Sequence, residues 1–195
     1  MSARTNTPYI LASDKDDQVM ARDAQKFIDA VATRGIGFLS SGKMNEAEQK
    51  KSFRGLLRDS FDLATIGRFS LGKYWRTANP SQRSEYQRLF EDMLVDVYSA
   101  RFGSYNGQKM VTISSQVVDA SDVMVASQIV PVDGSSPINI DWRVRLTDGR
   151  YKIVDVMVEG ISMAVTQRAD FGAVIDRGGG DVAVFITHLK NGRKG

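Results

Sequence analysis

By type, Asp155 and His188 are the side chains best suited to chemistry in this sequence. Asp155 interrupts the β-branched run Tyr151-Lys152-Ile153-Val154-Asp155-Val156-Met157-Val158. The Asp148-Gly149 pair before it predicts a two-residue hairpin turn, which fixes register with the preceding run. That register sets Thr147 opposite Arg150, Val144 opposite Ile153 and Trp142 opposite Asp155. One face then carries Ile138, Ile140, Trp142, Val144, Leu146, Tyr151, Ile153 and Met157, with Asp155 the sole charge among them. A buried carboxylate without a partner is costly, so Asp155 is expected to accept hydrogen bonds from Trp142, backbone amides or an arginine. The sharper alternative is a general acid or base facing a small apolar substrate.

The other candidates are weaker. His188 falls in the last turn of a C-terminal helix, where the helix dipole favours an imidazolium, and a single histidine excludes any site needing two. Gly160-Ile161-Ser162-Met163-Ala164 ends in alanine and so departs from the nucleophile-elbow pattern. Gly178-Gly179-Gly180 precedes a helix but lacks the strand before it and the lysine after it that a phosphate loop requires, and reads as a linker. Asp14, Asp16 and Asp17 read as a solvated helix start rather than a calcium loop. The absence of cysteine removes thiol catalysis, disulfides and thiolate metal sites. No catalytic set emerges, and the chain reads as a non-enzyme with no metal and no cofactor.

Composition narrows the class further. At 42% hydrophobic and 25% charged, 195 residues suit one globular domain over residues 1–195. A net charge of +3 without any long Lys/Arg run gives no case for nucleic acid. No apolar run approaches membrane-spanning length, and the start lacks the apolar core of a signal peptide. The sequence fits either a cytosolic protein or a mature form whose signal has been removed.

The elements that must position these residues follow in order. Residues 1–13 read as a flexible polar arm. From Asp16, apolar residues at Met20, Ala24, Phe27, Ile28 and Val31 predict a helix ending near Gly35. Asn45 and Glu48 have capping-box spacing before a helix carrying Phe53, Leu56, Leu57 and Phe61. Asp62 caps a short helix, Leu63 to Ile66. Asn79-Pro80-Ser81-Gln82 starts a long helix with Tyr86, Leu89, Phe90, Met93, Leu94, Val97, Tyr98 and Phe102 on one stripe, ended by Gly103. Four β-branched runs follow: Met110 to Ile113, Val123 to Val132, Ile138 to Thr147 and Tyr151 to Val158. The last is apolar at both parities, which predicts a central, covered strand. After the break at Glu159-Gly160, Ile161 to Val165 resume the strand and a helix opens at Arg168. A final helix is capped by Asp181 and buries Val182, Phe185, Ile186 and Leu189. This is an α+β chain: N-terminal helices, a curved antiparallel sheet, then C-terminal helices packed across the sheet. Large side chains (Phe69, Trp75, Phe90, Tyr98, Phe102, Trp142) exceed what the aliphatic stripes need, so either the core is generous or sheet and helices enclose a cavity.

Leu71-Gly72-Lys73-Tyr74-Trp75-Arg76-Thr77-Ala78-Asn79-Pro80-Ser81-Gln82-Arg83 and Glu159-Gly160-Ile161-Ser162-Met163 resemble the MlaC, or toluene-tolerance, family. The likeness covers about residues 50 to 190, and the hopanoid-associated HpnM branch shares the pattern. The resemblance implies an NTF2-like cone around an apolar cavity, and a periplasmic, non-enzymatic, monomeric carrier whose signal peptide has been cleaved. Its cargo would be a phospholipid, and the HpnM alternative would carry a hopanoid-associated lipid. Its partners would be an inner-membrane ABC transporter complex with an MCE-type ring and an outer-membrane lipoprotein-porin complex, together maintaining outer-membrane lipid asymmetry. Tyr98 and Ile161 carry over as lipid-lining positions. Facing stripes add Trp75, Phe90, Leu94, Phe102, Ile140, Trp142, Val144 and Met163.

Overall fold

A computed structural model describes residues 11–192, with side chains from residue 14. The polar arm expected over residues 1–13 lies almost wholly outside the described residues. Helix α1 spans Leu11–Leu39 and so begins before Asp16 and runs past Gly35. It continues because Phe38 is buried beyond the glycines, against Phe53 and Phe102, which outweighs the helix cost of ~1 kcal/mol for each of Gly35 and Gly37.

Helices α2 (Glu46–Ser60), α3 (Leu63–Leu71), α4 (Tyr74–Thr77) and α5 (Pro80–Ser99) follow. Asn45 with Glu48, and Asn79 with Gln82, both form complete capping boxes. Asp62 caps α3 by accepting from the Thr65 amide at 2.9 Å, and the helix runs to Leu71 rather than stopping at Ile66. The long helix α5 ends at Ser99, and Phe102 lies on a separate 3-10 turn, Phe102–Ser104.

Strands β1 (Lys109–Val117), β2 (Asp122–Val130), β3 (Ile138–Thr147), β4 (Arg150–Val158) and β5 (Ile161–Ser162) form one antiparallel sheet in sequence order. Helices α6 (Met163–Arg177) and α7 (Val182–Asn191) complete the chain. Asp148 and Gly149 both have positive φ, the conformation a two-residue hairpin between right-twisted strands demands. Glu159 and Gly160 repeat this geometry, so the break after β4 is a second tight hairpin.

Two expectations for β4 are corrected. The strand is not central: its outer neighbour is the two-residue β5, and the rest of that edge is closed by Phe61, which bridges to Ile153, and by the Asp62 amide donating to the Ile153 carbonyl. It is nonetheless covered there, with Ile153 and Val154 both buried. The register is also not that of an unbroken hairpin. Thr147 faces Arg150 and Val144 faces Ile153, but a bulge at Val154 then sets Arg143 opposite Asp155 and Trp142 opposite Val156. One extra residue turns Asp155 off the apolar face and puts Val156 and Val158 onto it. The helix expected from Arg168 begins at Met163, because the Ser162 hydroxyl accepts from the Val165 amide and starts it.

The interior has two parts. One joins helices to helices: Leu71, Tyr74, Tyr86, Leu89, Phe90, Phe171, Ile175, Phe185 and Leu189 pack between α3, α4, α5, α6 and α7. The other joins sheet to helices: Val123, Val125, Val144 and Ile153 pack under Ala24, Ile28, Val31 and Phe38 of α1 and Leu56 of α2.

Candidate functional site

The inner sheet face is built of cross-strand rows. Val123, Val144 and Ile153 make the first, Val125, Trp142 and Val156 the second, and Ser127, Ile140, Val158 and Ile161 the third. The first row is fully buried, whereas Ile161 at the edge of the third is 60% exposed. The face therefore passes from a sealed end to an open one.

Helix α1 crosses this face in a definite direction. The Tyr151 hydroxyl donates to the Met20 carbonyl at 3.3 Å, Ser115 bonds Gln25 at 3.3 Å, and Thr112 bonds Asp29. Progress along α1 thus runs from the sealed end towards the open end, and Phe38 arrives there last. Around it stand Phe53 of α2, Tyr98 of α5 and Phe102. The Phe53 and Phe102 rings meet edge to face at 5.3 Å, Phe38 lies 5.7 Å from Phe102, and Phe53 lies 6.4 Å from Tyr98. Tyr98 is 38% exposed at the rim.

Trp142 and Ser127, the polar side chains of the second and third rows, are both satisfied. Trp142 Nε1 donates to Ser127 Oγ at 2.9 Å, and Ser127 donates to the Ile140 carbonyl at 3.0 Å. No charged side chain belongs to the three rows. Such a surface can hold hydrocarbon and offers nothing to activate a nucleophile.

Asp155 stands away from this strip. Its carboxylate accepts from Ser162 Oγ at 2.5 Å, the Ala164 amide at 3.1 Å and the Val156 amide at 2.8 Å. The backbone amides expected for it are present; among the described residues neither Trp142 nor an arginine is a partner. It anchors the N-terminus of α6 to β4. His188 lies in the last turn of α7, stacked against Phe185.

The predicted lining residues divide between the two interiors. Phe102, Trp142 and Val144 share the sheet-side cluster, Ile140 and Ile161 continue the same face, and Tyr98 meets them through Phe53. Met163, half-buried, opens α6 beside Ile161. Trp75, Phe90 and Leu94 belong instead to the helical interior: Phe90 is 1% exposed and packs on Tyr86 and Phe171, and Trp75 contacts Tyr86. Phe38 and Phe53 join the aromatic rim without having been singled out. Both sit on ordinary helical stripes, and nothing in a stripe says which neighbour it will meet.

Two surface depressions lie apart from this set. One of about 460 Å³ is lined mainly by polar residues, including Gln128, Asn139, Asp141 and Glu159. The other, of about 340 Å³, runs between α5, α6 and α7 over Met93, Val97, Phe171 and Leu189. Among the described residues no group of three or more His, Cys, Asp or Glu could hold a metal, and no helix is long and apolar enough to cross a membrane.

Comparison with known proteins places this geometry. The family described as MlaC protein matches residues 29–191. The intermembrane phospholipid transport system binding protein MlaC of Haemophilus influenzae is 21% identical over 181 residues, covering 91% of this chain and 79% of that protein. Toluene tolerance protein ttg2D of Pseudomonas putida is 24% identical over 110 residues, covering 56% of this chain and 51% of that protein. The structure of a phospholipid-binding protein from Ralstonia solanacearum, solved with a phospholipid bound, superposes with a TM-score of 0.75 at 20% identity, covering 86% of this chain and 95% of that one. With most of its length matched in sequence and the α+β architecture shared, this chain belongs to the MlaC family.

Proposed function

We propose that this protein is a periplasmic lipid carrier that encloses the acyl chains of a phospholipid and passes the lipid between membrane-bound transport complexes. The observation that carries the reading is the uncharged inner sheet face, which leads from a sealed core to an open end rimmed by Phe38, Phe53, Tyr98 and Phe102. The phospholipid bound by the Ralstonia solanacearum relative and the transport-system name of the Haemophilus influenzae relative supply the class of cargo. Tyr98, Phe102, Ile140, Trp142, Val144, Ile161 and Met163 form the proposed lining. Trp75, Phe90 and Leu94 brace the helices behind it.

A carrier must match what the bilayer offers its cargo. At ~0.8 kcal/mol per buried CH₂, one ~16-carbon chain is worth on the order of 12 kcal/mol in a membrane. An open groove cannot compete, so the tails enter between the sheet and the aromatic rim, parting α2 and α5 from the third row. The headgroup stays in water, giving weak headgroup selectivity. Unloading needs a partner that favours the parted state. The transporter with its MCE-type ring and the outer-membrane lipoprotein-porin complex are the partners this reading expects, and the carrier acts as a monomer and a single domain.

Native mass spectrometry of the purified protein, followed by solvent extraction, tests the reading. A discrete added mass that extracts as phospholipid is expected. A bare protein mass that persists after incubation with phospholipid vesicles overturns it, and a hopanoid moves the cargo to the HpnM-type alternative.

A further inference from the structure

Helices α3 and α6 pack side by side and present an outward ridge that neither depression touches. Phe69 of α3 is 40% exposed and Val165 of α6 is 56% exposed. One helical turn beyond Val165, the Arg168 guanidinium lies over the Phe69 ring, 5.1 Å from its centroid. On another side it is confined by Gly72, where a Cβ would come within 2.9 Å of Arg168 Nε. Arg168 is thus held in place, yet it makes no hydrogen bond or ion pair among the described residues, and neither does exposed Arg68 beside Phe69. Of the acids at these two helices, Asp62 and Asp176 are engaged elsewhere. Asp62 caps α3, Asp176 binds Tyr74 and Lys73, and Asp170 lines the depression between α5, α6 and α7.

Exposed aromatic and aliphatic side chains set among cations with free donors are the chemistry of an interfacial membrane anchor. We propose that this α3–α6 ridge is the surface by which the protein settles on an anionic phospholipid bilayer, with Phe69 and Val165 entering the headgroup boundary while Arg168 and Arg68 engage lipid phosphates. Arginine suits this role because its planar fork binds phosphate oxygens in pairs, and clamping it beforehand lowers the ordering cost of each contact. The chain's net charge of +3 acts in the same direction at long range. Ile161, the exposed residue at the open end of the inner sheet face, lies just before α6 and four residues from Val165, so the ridge and that end meet at the start of one helix. The ridge itself exists whatever the cargo, but its use for lipid exchange rests on the carrier reading.

The test is flotation of the full chain with vesicles of phosphatidylcholine alone and with phosphatidylglycerol added. The expected result is salt-sensitive flotation with the anionic vesicles, reduced about tenfold or more by Arg168→Glu and by Val165→Asp. Val184→Asp, at an exposed valine on α7, is expected to float like the wild type. Thermal melts establish that the variants are folded, and native mass spectrometry of the same samples reports their cargo. Failure of the wild type to float, or ridge variants that float normally, overturns the membrane-docking surface. Absence of lipid from a wild type that does float overturns the carrier reading instead.

Discussion

The Ser162 hydroxyl donates to the Asp155 carboxylate at 2.5 Å, across the hairpin that separates β4 from α6. The same carboxylate takes the Ala164 amide, so one acid holds the end of a strand to the start of a helix. Ile161 and Met163, two of the proposed lining residues, flank that joint. Asp155 therefore acts on the site by fixing where its edge lies.

Replacing Asp155 with Ala leaves the Ala164 amide and the Ser162 hydroxyl without their acceptor. A loss of about 1–3 kcal/mol is expected, or several degrees of melting temperature for a chain of this size. Urea denaturation checks the first figure and calorimetry the second. Unchanged stability would show that the joint is held by other contacts.

Tyr98 and Phe90 lie on the same helix and separate the two interiors experimentally. Tyr98→Asp charges the open rim at an exposed position and should release bound lipid with little change in stability. Phe90→Ala empties a fully packed position among Tyr86 and Phe171 and should cost about 3–5 kcal/mol while cargo stays bound in the folded fraction. Extraction of lipid from each purified variant, beside its denaturation curve, distinguishes the two roles.

Asp122 is fully buried and accepts from Arg145 Nε at 2.6 Å and from Arg143 Nε at 2.6 Å. Hydrogen bonding to Arg145 leads, with Arg143 in support, in holding its carboxyl down to about 2 from an ordinary 3.8, against the effect of burial. A depressed folded-state value means the stabilisation is complete above pH ~4 and is lost as pH falls towards 2. It amounts to about 2 kcal/mol. Acid titration of stability should show this loss in the wild type and a much flatter curve over the same window in Asp122→Asn.

Gly72 carries φ of +60° at the end of α3, and an added methyl would also meet Arg168. Gly72→Ala should cost about 1–3 kcal/mol. Pairing it with Arg168→Ala should recover the part due to contact and leave the part due to φ, since only the first involves the guanidinium. A double-mutant cycle on urea denaturation measures the split.

Local chemistry made much of this protein legible from sequence. Asn45, Asp62, Asn79 and Asp181 each cap the helix their spacing announced, and Asp148-Gly149 turns the hairpin where expected. These devices act within a few residues of chain, so a short window contains their whole cause. The family motifs around Trp75 and Ile161 were equally readable. What a window does not contain is a bulge. Nothing in Ile153-Val154-Asp155 announces that Val154 falls out of register, and that one residue decided that Val156 rather than Asp155 lines the inner face. The partition of aromatics was also set at a distance. Phe90 and Tyr98 share a stripe in sequence, but α6 and α7 close over the first while Phe53 and Phe102 gather beside the second. Periodicity marked the apolar stripes; the tertiary structure alone decided which of their side chains are buried and which interior each one reached, because burial depends on elements far away in the chain whose approach no local pattern encodes.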